Sequence, residues 1–376
     1  MAGIYLHIPF CKTRCIYCDF YSSTRTELKD RYIGALCREL ETRRYYLQGE
    51  PVETVYFGGG TPSLLNARDF HRIFDTLHRV YRTEDCMEIT LEANPDDLNA
   101  DYLQTLSLFP FNRISIGMQT FDDKILKLLN RRHNAAQALT AVDNCRRTGF
   151  DNISIDLIYG LPGETREVLV NDLSQALSLS PEHLSAYCLT YEKGTPIFNM
   201  LQKHRVEEVD EDTAFRFFTV LADTLTGAGY EHYEISNFCR PGMHSQHNSA
   251  YWSGRSYLGC GAAAHSYNGV SREWNVSSLT SYLSGMERND REFETEKPDM
   301  DTRYNELIIT SIRTCRGLSL RQLETVFGKE YLTYCLSMAQ RHIENGKLKE
   351  EDDYLKLTRE GIFISDGIMS DLFRVS

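Results

Sequence analysis

Cys11, Cys15 and Cys18 stand as Cys-x-x-x-Cys-x-x-Cys in the segment YLHIPFCKTRCIYCDF. Three thiolates on one short loop can hold three irons of a cubane cluster. Clusters closed by protein alone take four cysteines, so a set of three leaves one iron open to a small molecule. A structural zinc site is the competing use of these residues, but it takes four ligands, usually as two spaced pairs. His7 would have to be the fourth, and it reads as strand, with Pro9 between it and the loop. A disulfide framework asks for an even count and an oxidising compartment. The other cysteines (Cys37, Cys86, Cys145, Cys188, Cys239, Cys260, Cys315, Cys335) are scattered singly and read as small buried hydrophobes.

S-adenosylmethionine (SAM) is the small molecule whose amino and carboxylate groups chelate such an iron. One electron from the cluster then cleaves its sulfonium to a carbon radical, so the hard chemistry belongs to the cofactor. Gly58-Gly59-Gly60-Thr61-Pro62 is the second anchor. No Gly-Lys-Ser/Thr follows it, so it is not a phosphate loop. Placed at a strand end one unit after the cysteine loop, it reads as a backbone contact for the amino end of SAM. Glu92 closes the third strand, Gln119 follows the fourth and Asp156 lies within the fifth, while Arg131 stands in the run NRRH. Glu92 could instead cap a helix starting near Leu98, a task for which Asp96 is better placed, and Arg131 could be a solvated helix end. Asp156 lies in the apolar run ISIDLIYGLPG, where an unpaired charge is costly, and it suits a hydrogen bond to a ribose. His247-Asn248-x-x-Tyr251-Trp252 sets an imidazole, an amide and two large aromatics within six residues. That is either an apolar pocket with an axial imidazole, fit for a porphyrin, or a hydrogen-bonded loop packing its aromatics on a rim. His244 and His265 carry the same two readings.

These residues need a scaffold, and the first half of the chain supplies one by alternating β-rich and helical runs. Strands are expected at Gly3–Ile8, Thr54–Phe57, Met87–Ala93, Arg113–Met118, Asn152–Ile158 and His183–Leu189. Helices are expected at Leu28–Leu47, Asn66–Tyr81, Ala100–Leu106, Asp122–Leu129, Ala135–Thr148 and Arg166–Leu177. Six such units predict an α/β fold, an open partial (β/α)6 barrel, with chemistry at the strand ends. Residues 1–228 are assigned to it and 229–300 to a connecting segment. Residues 301–376 form a C-terminal winged-helix-like α+β domain, three helices and a hairpin over Leu348–Leu357. At 376 residues with 25% charged and 41% hydrophobic, the chain belongs with globular proteins of two or three domains. A net charge of −12 without any basic block argues against nucleic acid. No run is apolar enough for a membrane span, and the cysteine-interrupted N-terminus is no signal peptide, so the expected location is the cytoplasm.

Y-x-H-I-P-F-C-x-x-x-C-x-x-C, G-G-G-T-P, the IDLIYGLPG strand and H-N-x-x-Y-W together resemble the oxygen-independent coproporphyrinogen III oxidase-like family of radical SAM proteins, nearly end to end. The resemblance implies a 4Fe–4S cluster on Cys11, Cys15 and Cys18. It puts Tyr5 against SAM, Tyr17 near the adenine, and Gly59, Gly60, Thr61, Glu92, Gln119, Arg131 and Asp156 along the SAM region. Members that oxidise coproporphyrinogen carry a further Cys two residues after the triplet, where this chain has Phe20, and an extended segment before the loop. H-N-x-x-Y-W matches the haem chaperone branch instead. That implies haem contacts from His247, Asn248, Tyr251 and Trp252 and transfer to client haemoproteins, membrane-associated ones included. One departure is Gly259-Cys260-Gly261-Ala262-Ala263-Ala264, with alanine where a third glycine is expected. The competing activity is radical oxidative decarboxylation of coproporphyrinogen III.

Overall fold

A computed structural model describes residues 2–375. Six parallel strands follow in chain order: β1 (Ala2–Ile8), β2 (Val52–Gly59), β3 (Glu88–Ala93), β4 (Arg113–Gln119), β5 (Ile153–Tyr159) and β6 (His183–Cys188). Their residues alternate along most of each strand. Ile4, Leu6, Val55, Phe57, Ile89, Leu91, Ile114, Ile116, Ile153, Ile155 and Leu184 are buried, in the core shared with the outer helices. The intervening positions are polar and turn to the inside of the curved sheet: Tyr5 and His7, Thr54 and Tyr56, Glu88, Thr90 and Glu92, Arg113 and Ser115, Ser154 and Asp156, His183 and Ser185. The result is a half-open barrel with a greasy outside, clad in helices, and a polar lumen.

Helices form where the apolar period predicts them, and their caps explain the boundaries. Asn66 and Asp69 close a capping box at the start of Ala67–Val80, and Asn134 with Gln137 does so for Ala135–Arg147. The Ala100–Leu106 helix is capped by Asn99, not Asp96, because Asp96 is drawn into an ion pair with Arg132. Asp210 caps Glu211–Gly227, as an acidic helix start should. Cys188 and Cys315 are exposed, unlike the buried hydrophobes expected of lone cysteines.

Residues 229–300 extend the same sheet at both edges. β7 (Glu231–Glu234) and β8 (Asn237–Cys239) add antiparallel beyond β6. β9 (Tyr257–Cys260) runs parallel to β1 and leads to β10 (His265–Tyr267), β11 (Arg272–Asn275) and β12 (Phe293–Glu296). Glu39 and Arg43, both buried on the helix Lys29–Thr42 and its C-cap, pin this edge. Arg43 donates to Gly259 O (2.8 Å) and pairs with Glu273 (3.0 Å), while Glu39 accepts from Gly261 N, Asn275 Nδ2 and Tyr282 Oη, each at 2.8 Å. Within the run of alanines that follows Gly261, Ala263 takes φ +63°. After Met300–Ile312, the helices Leu320–Phe327 and Lys329–Glu344 pack with a small three-stranded sheet and a last helix, Ser365–Leu372, around their own core. Among the described residues no helix is long and apolar enough to cross a membrane.

Candidate functional site

Strand direction gives the barrel two ends. The loop carrying Cys11, Cys15 and Cys18 leaves the C-terminal end of β1, and backbone bonds hold it there. Cys11 N donates to Ser23 O (3.0 Å), Ser23 N to Pro9 O (2.6 Å) and Ile16 N to Leu129 O (3.2 Å), while Asn130 Nδ2 reaches Arg14 O (2.8 Å). All three thiols are free and partly buried. Burial raises the Cys11 thiol and pushes Cys18 up to about 11, so a bound metal would displace their protons. Arg131 is not a solvated helix end. Its Nη1 lies 3.3 Å from Cys15 Sγ, its Nη2 donates to Asn94 Oδ1 (2.8 Å) and to Gly117 O, and its Nε is buried with no partner. Three thiols on one loop, with a buried cation against one of them that keeps an unpartnered donor, fit an anionic iron–sulfur cluster. His7, the zinc alternative's fourth ligand, is committed elsewhere: Nδ1 contacts Tyr5 Oη at 3.1 Å and Nε2 contacts Tyr21 O at 3.0 Å.

The glycines turn out to be needed first for packing. A Cβ on Gly59, which has φ +106°, would lie 2.5 Å from the His7 ring, and one on Gly60 would lie 2.8–2.9 Å from backbone atoms of Ile8, Pro9 and Phe10. Strand β2 therefore ends pressed against the root of the cysteine loop. Thr61 Oγ1 follows at 3.5 Å from Cys11 Sγ. Glu92, partly buried, does not cap a helix. It accepts from Tyr56 Oη (2.8 Å) and Gly59 N (3.1 Å), and burial, with Asp156 adding to it, pushes its carboxyl up to about 7. Asp156 accepts from Ser115 Oγ at 3.2 Å and is likewise raised by burial. Gln119 sits at a bulge between β4 and β5 with φ +71°, a strained position for a non-glycine, beside Gly117 and Arg131. Tyr17 lies between Arg131 and Cys15, its phenol raised by burial.

The His247 motif lies at the other end. β8 descends antiparallel to β6, with Cys239 opposite His183, and β9 starts upward with Tyr257 opposite Gly3. The intervening chain must cross the barrel floor, and the helix Gln246–Trp252 is that crossing. Both Glu88 oxygens take its first amides, Gln246 N at 2.9 Å and His247 N at 3.0 Å, and Ser245 caps it through Asn248 N. His247 is 2% exposed: Nδ1 contacts Thr54 Oγ1 (2.7 Å), Nε2 contacts Tyr251 Oη (2.9 Å), and the ring stacks on Tyr56 at 5.0 Å. Burial lowers its pKa to about 3, so the imidazole is neutral. Trp252 lies under Arg313, whose guanidinium carbon is 3.8 Å from its ring centre. The fold thus brings Tyr5, Glu92, His247 and Tyr251 into one lumen through Tyr56, keeps the cysteines, Tyr17, Arg131 and Gln119 at its mouth, and leaves Trp252 at the junction with the C-terminal module. Tyr56, Asn94 and Glu88 were not singled out from the sequence. The signal for Tyr56 and Glu88 is the polar residue at every second position of otherwise apolar strands, and Asn94 follows the end of β3.

Residues 5–176 match the Radical SAM superfamily and residues 299–364 the HemN C-terminal domain. Curated relatives called heme chaperone HemW include that of Bacillus subtilis (strain 168), 32% identical over 98% of each chain. That of Mycobacterium tuberculosis (strain CDC 1551 / Oshkosh) is 33% identical over 98% of this chain and 94% of its own. That of Escherichia coli (strain K12) is 37% identical over 70% of this chain and 69% of its own. Among solved structures, Escherichia coli HemN, described as coproporphyrinogen III oxidase and a radical SAM enzyme, superposes with a TM-score of 0.85 at 24% identity over 99% of this chain and 90% of that one, which speaks for the fold. The partial barrel, the three-cysteine loop at its mouth and the extent of these matches together place the chain in the HemW family of radical SAM proteins.

Proposed function

We propose that this protein is a haem chaperone of the cytoplasm, which binds haem and passes it to client haemoproteins. The observation carrying this reading is the likeness to HemW chaperones along 98% of the chain, cysteine loop and floor helix included. Cys11, Cys15 and Cys18 would hold the 4Fe–4S cluster, and Tyr5, Tyr17, Gly59, Gly60, Thr61, Glu92, Gln119, Arg131 and Asp156 would line the SAM site. Together the two cofactors supply one-electron reductive chemistry when bound. The chain's own part at the mouth is to place the Arg131 charge on Cys15 and to hold Glu92 between Tyr56 and Gly59. Phe20, 66% exposed, stands where the coproporphyrinogen-oxidising branch carries a further cysteine. In this reading residues 1–228 are the barrel, 229–300 carry the haem motif and 301–376, with their separate core, form the third module.

Haem contact falls to His247, with Asn248, Tyr251 and Trp252 around it. Its neutral imidazole is the form that binds iron, but Nε2 must first give up the Tyr251 hydroxyl, and the floor helix must swing outward to expose it. Haem titration of the anaerobically reconstituted chain, followed by Soret absorbance, tests this. Saturation near one equivalent is expected, with His247→Ala weakening it. Tyr251→Phe should tighten it about fivefold, since it removes a competing bond worth about 1 kcal/mol. Saturable binding unchanged in both variants would leave the motif a structural floor and move the haem site elsewhere. Weak, non-saturating binding together with turnover of coproporphyrinogen III would overturn the chaperone reading.

A further inference from the structure

Beside the floor helix lies a second set of metal-ligating side chains, remote from the cysteine loop. Glu231 on β7 stands opposite Cys239 on β8 in the antiparallel ladder, so both side chains leave the same face. The chain then turns through Gly242, and His244 folds back with Nε2 3.3 Å from Glu231 Oε2. The ligating atoms of Glu231, Cys239 and His244 all lie within 4.8 Å of one another. In a tetrahedral zinc site with bonds of about 2.0–2.3 Å the ligand-to-ligand edges are about 3.3–3.8 Å. The imidazole–carboxylate edge already has that length. The other two close with about 1 Å of movement, which the Glu231 and His244 side chains, 47% and 35% exposed, can supply.

A further cysteine is tied to the same edge. Cys315, which is exposed, donates its N–H to Tyr233 O (3.0 Å) on β7, two residues from Glu231, and its sulfur stands outside the group of atoms within 4.8 Å.

We infer that Glu231, Cys239 and His244, with the exposed Cys315 side chain swinging in as fourth ligand, form a site for a divalent cation of the zinc type. Two thiolates, one carboxylate and one neutral imidazole around a doubly charged ion leave one negative charge. Arg113 beside Cys239 and Lys356 beside Cys315 balance it. Binding releases the two thiol protons to solvent. The ion would join three parts: the β7–β8 edge, the residue before Ser245 where the floor helix is capped, and the turn after Met300–Ile312 that leads into the C-terminal sheet. It would act as a clasp on the helix that carries His247.

The test uses the chain loaded with its iron and sulfide, without haem, so that its outcome does not depend on the haem reading. Zinc sulfate is added, loose metal is removed with a weak chelator, and zinc and iron are counted per chain. About one zinc at unchanged iron is expected in the wild type, with at least a tenfold loss of retention in His244→Ala and in Cys239→Ala. Glu231→Ala, on an exposed side chain, gives the same answer if the buried Cys239 variant does not fold. Zinc should also slow alkylation of Cys315 in the wild type and not in His244→Ala. A wild-type chain that retains no zinc, or a His244→Ala chain that retains as much as wild type, overturns the site. Alkylation of Cys315 at the same rate with and without zinc removes it from the ligand set.

Discussion

Replacing Glu92 by Gln tests whether the lumen works as a low-dielectric polar channel. The Glu92 carboxyl is held at about 7, against an ordinary value of 4.5, chiefly by burial, with Asp156 nearby adding to the shift. A carboxyl raised in the fold stays protonated over a range in which the unfolded chain has already ionised. Folding therefore binds a proton there, and stability falls as pH rises through that window. At 1.36 kcal/mol per tenfold the loss reaches at most about 3 kcal/mol, an upper figure because water reaches the open lumen. Glutamine mimics the protonated acid: its carbonyl still accepts Gly59 N–H, and its amide donates to the Tyr56 oxygen. The variant should match wild type near about pH 5 and exceed it by about 2–3 kcal/mol near about pH 8. Urea unfolding of the cluster-free chain across that range, followed by circular dichroism, measures the difference. Wild-type and variant curves that run parallel across the window, or a variant less stable at the alkaline end, would refute the reasoning.

Gly60→Ala should disturb the cysteine loop without unfolding the barrel, because the new Cβ meets backbone atoms of Ile8, Pro9 and Phe10 at 2.8–2.9 Å. Iron and sulfide per chain after reconstitution should fall severalfold, while far-ultraviolet circular dichroism stays unchanged. Arg313→Met should loosen the C-terminal module. It removes the cation over Trp252 and leaves the buried Glu234 carboxylate, 3.3 Å away, without its cation, at a cost of about 2–4 kcal/mol. Urea unfolding read by Trp252 fluorescence in a Trp274→Phe background should show an earlier transition, and an unmoved midpoint would mean that the contact carries no coupling. Arg131→Met should lower iron retention, since Cys15 loses the guanidinium at 3.3 Å; iron counting in parallel with Gly60→Ala checks it.

Much of the barrel was legible because its strands are short, β-branched and punctuated by Gly, Pro and Asn. The predicted strand Arg113–Met118 gains only Gln119, and Ala100–Leu106 is matched at both ends. Thr54–Phe57 was read two residues short at each end because Val52 and the Gly58–Gly59 pair carry no alternating signal, yet pairing with β1 extends the strand through them. Residues 229–300 read as an irregular connection because β8 and β10 are only three residues long and pair with distant parts of the chain.

Local chemistry by itself determined the cysteine loop, since three thiols within eight residues need no long-range contact to define what they can bind. It also determined the polar–apolar alternation that makes one face of each strand a lumen. Only the tertiary structure decided which end of that lumen each motif occupies. Ring nitrogens of His247 satisfied by Thr54 and Tyr251, and an amide end held by Glu88, depend on residues up to 193 positions away. The same is true of Glu231, Cys239 and His244, where cross-strand register, which no local spacing encodes, brings the ligating atoms together. Burial then sets the protonation of these groups, and burial is a property of the whole fold.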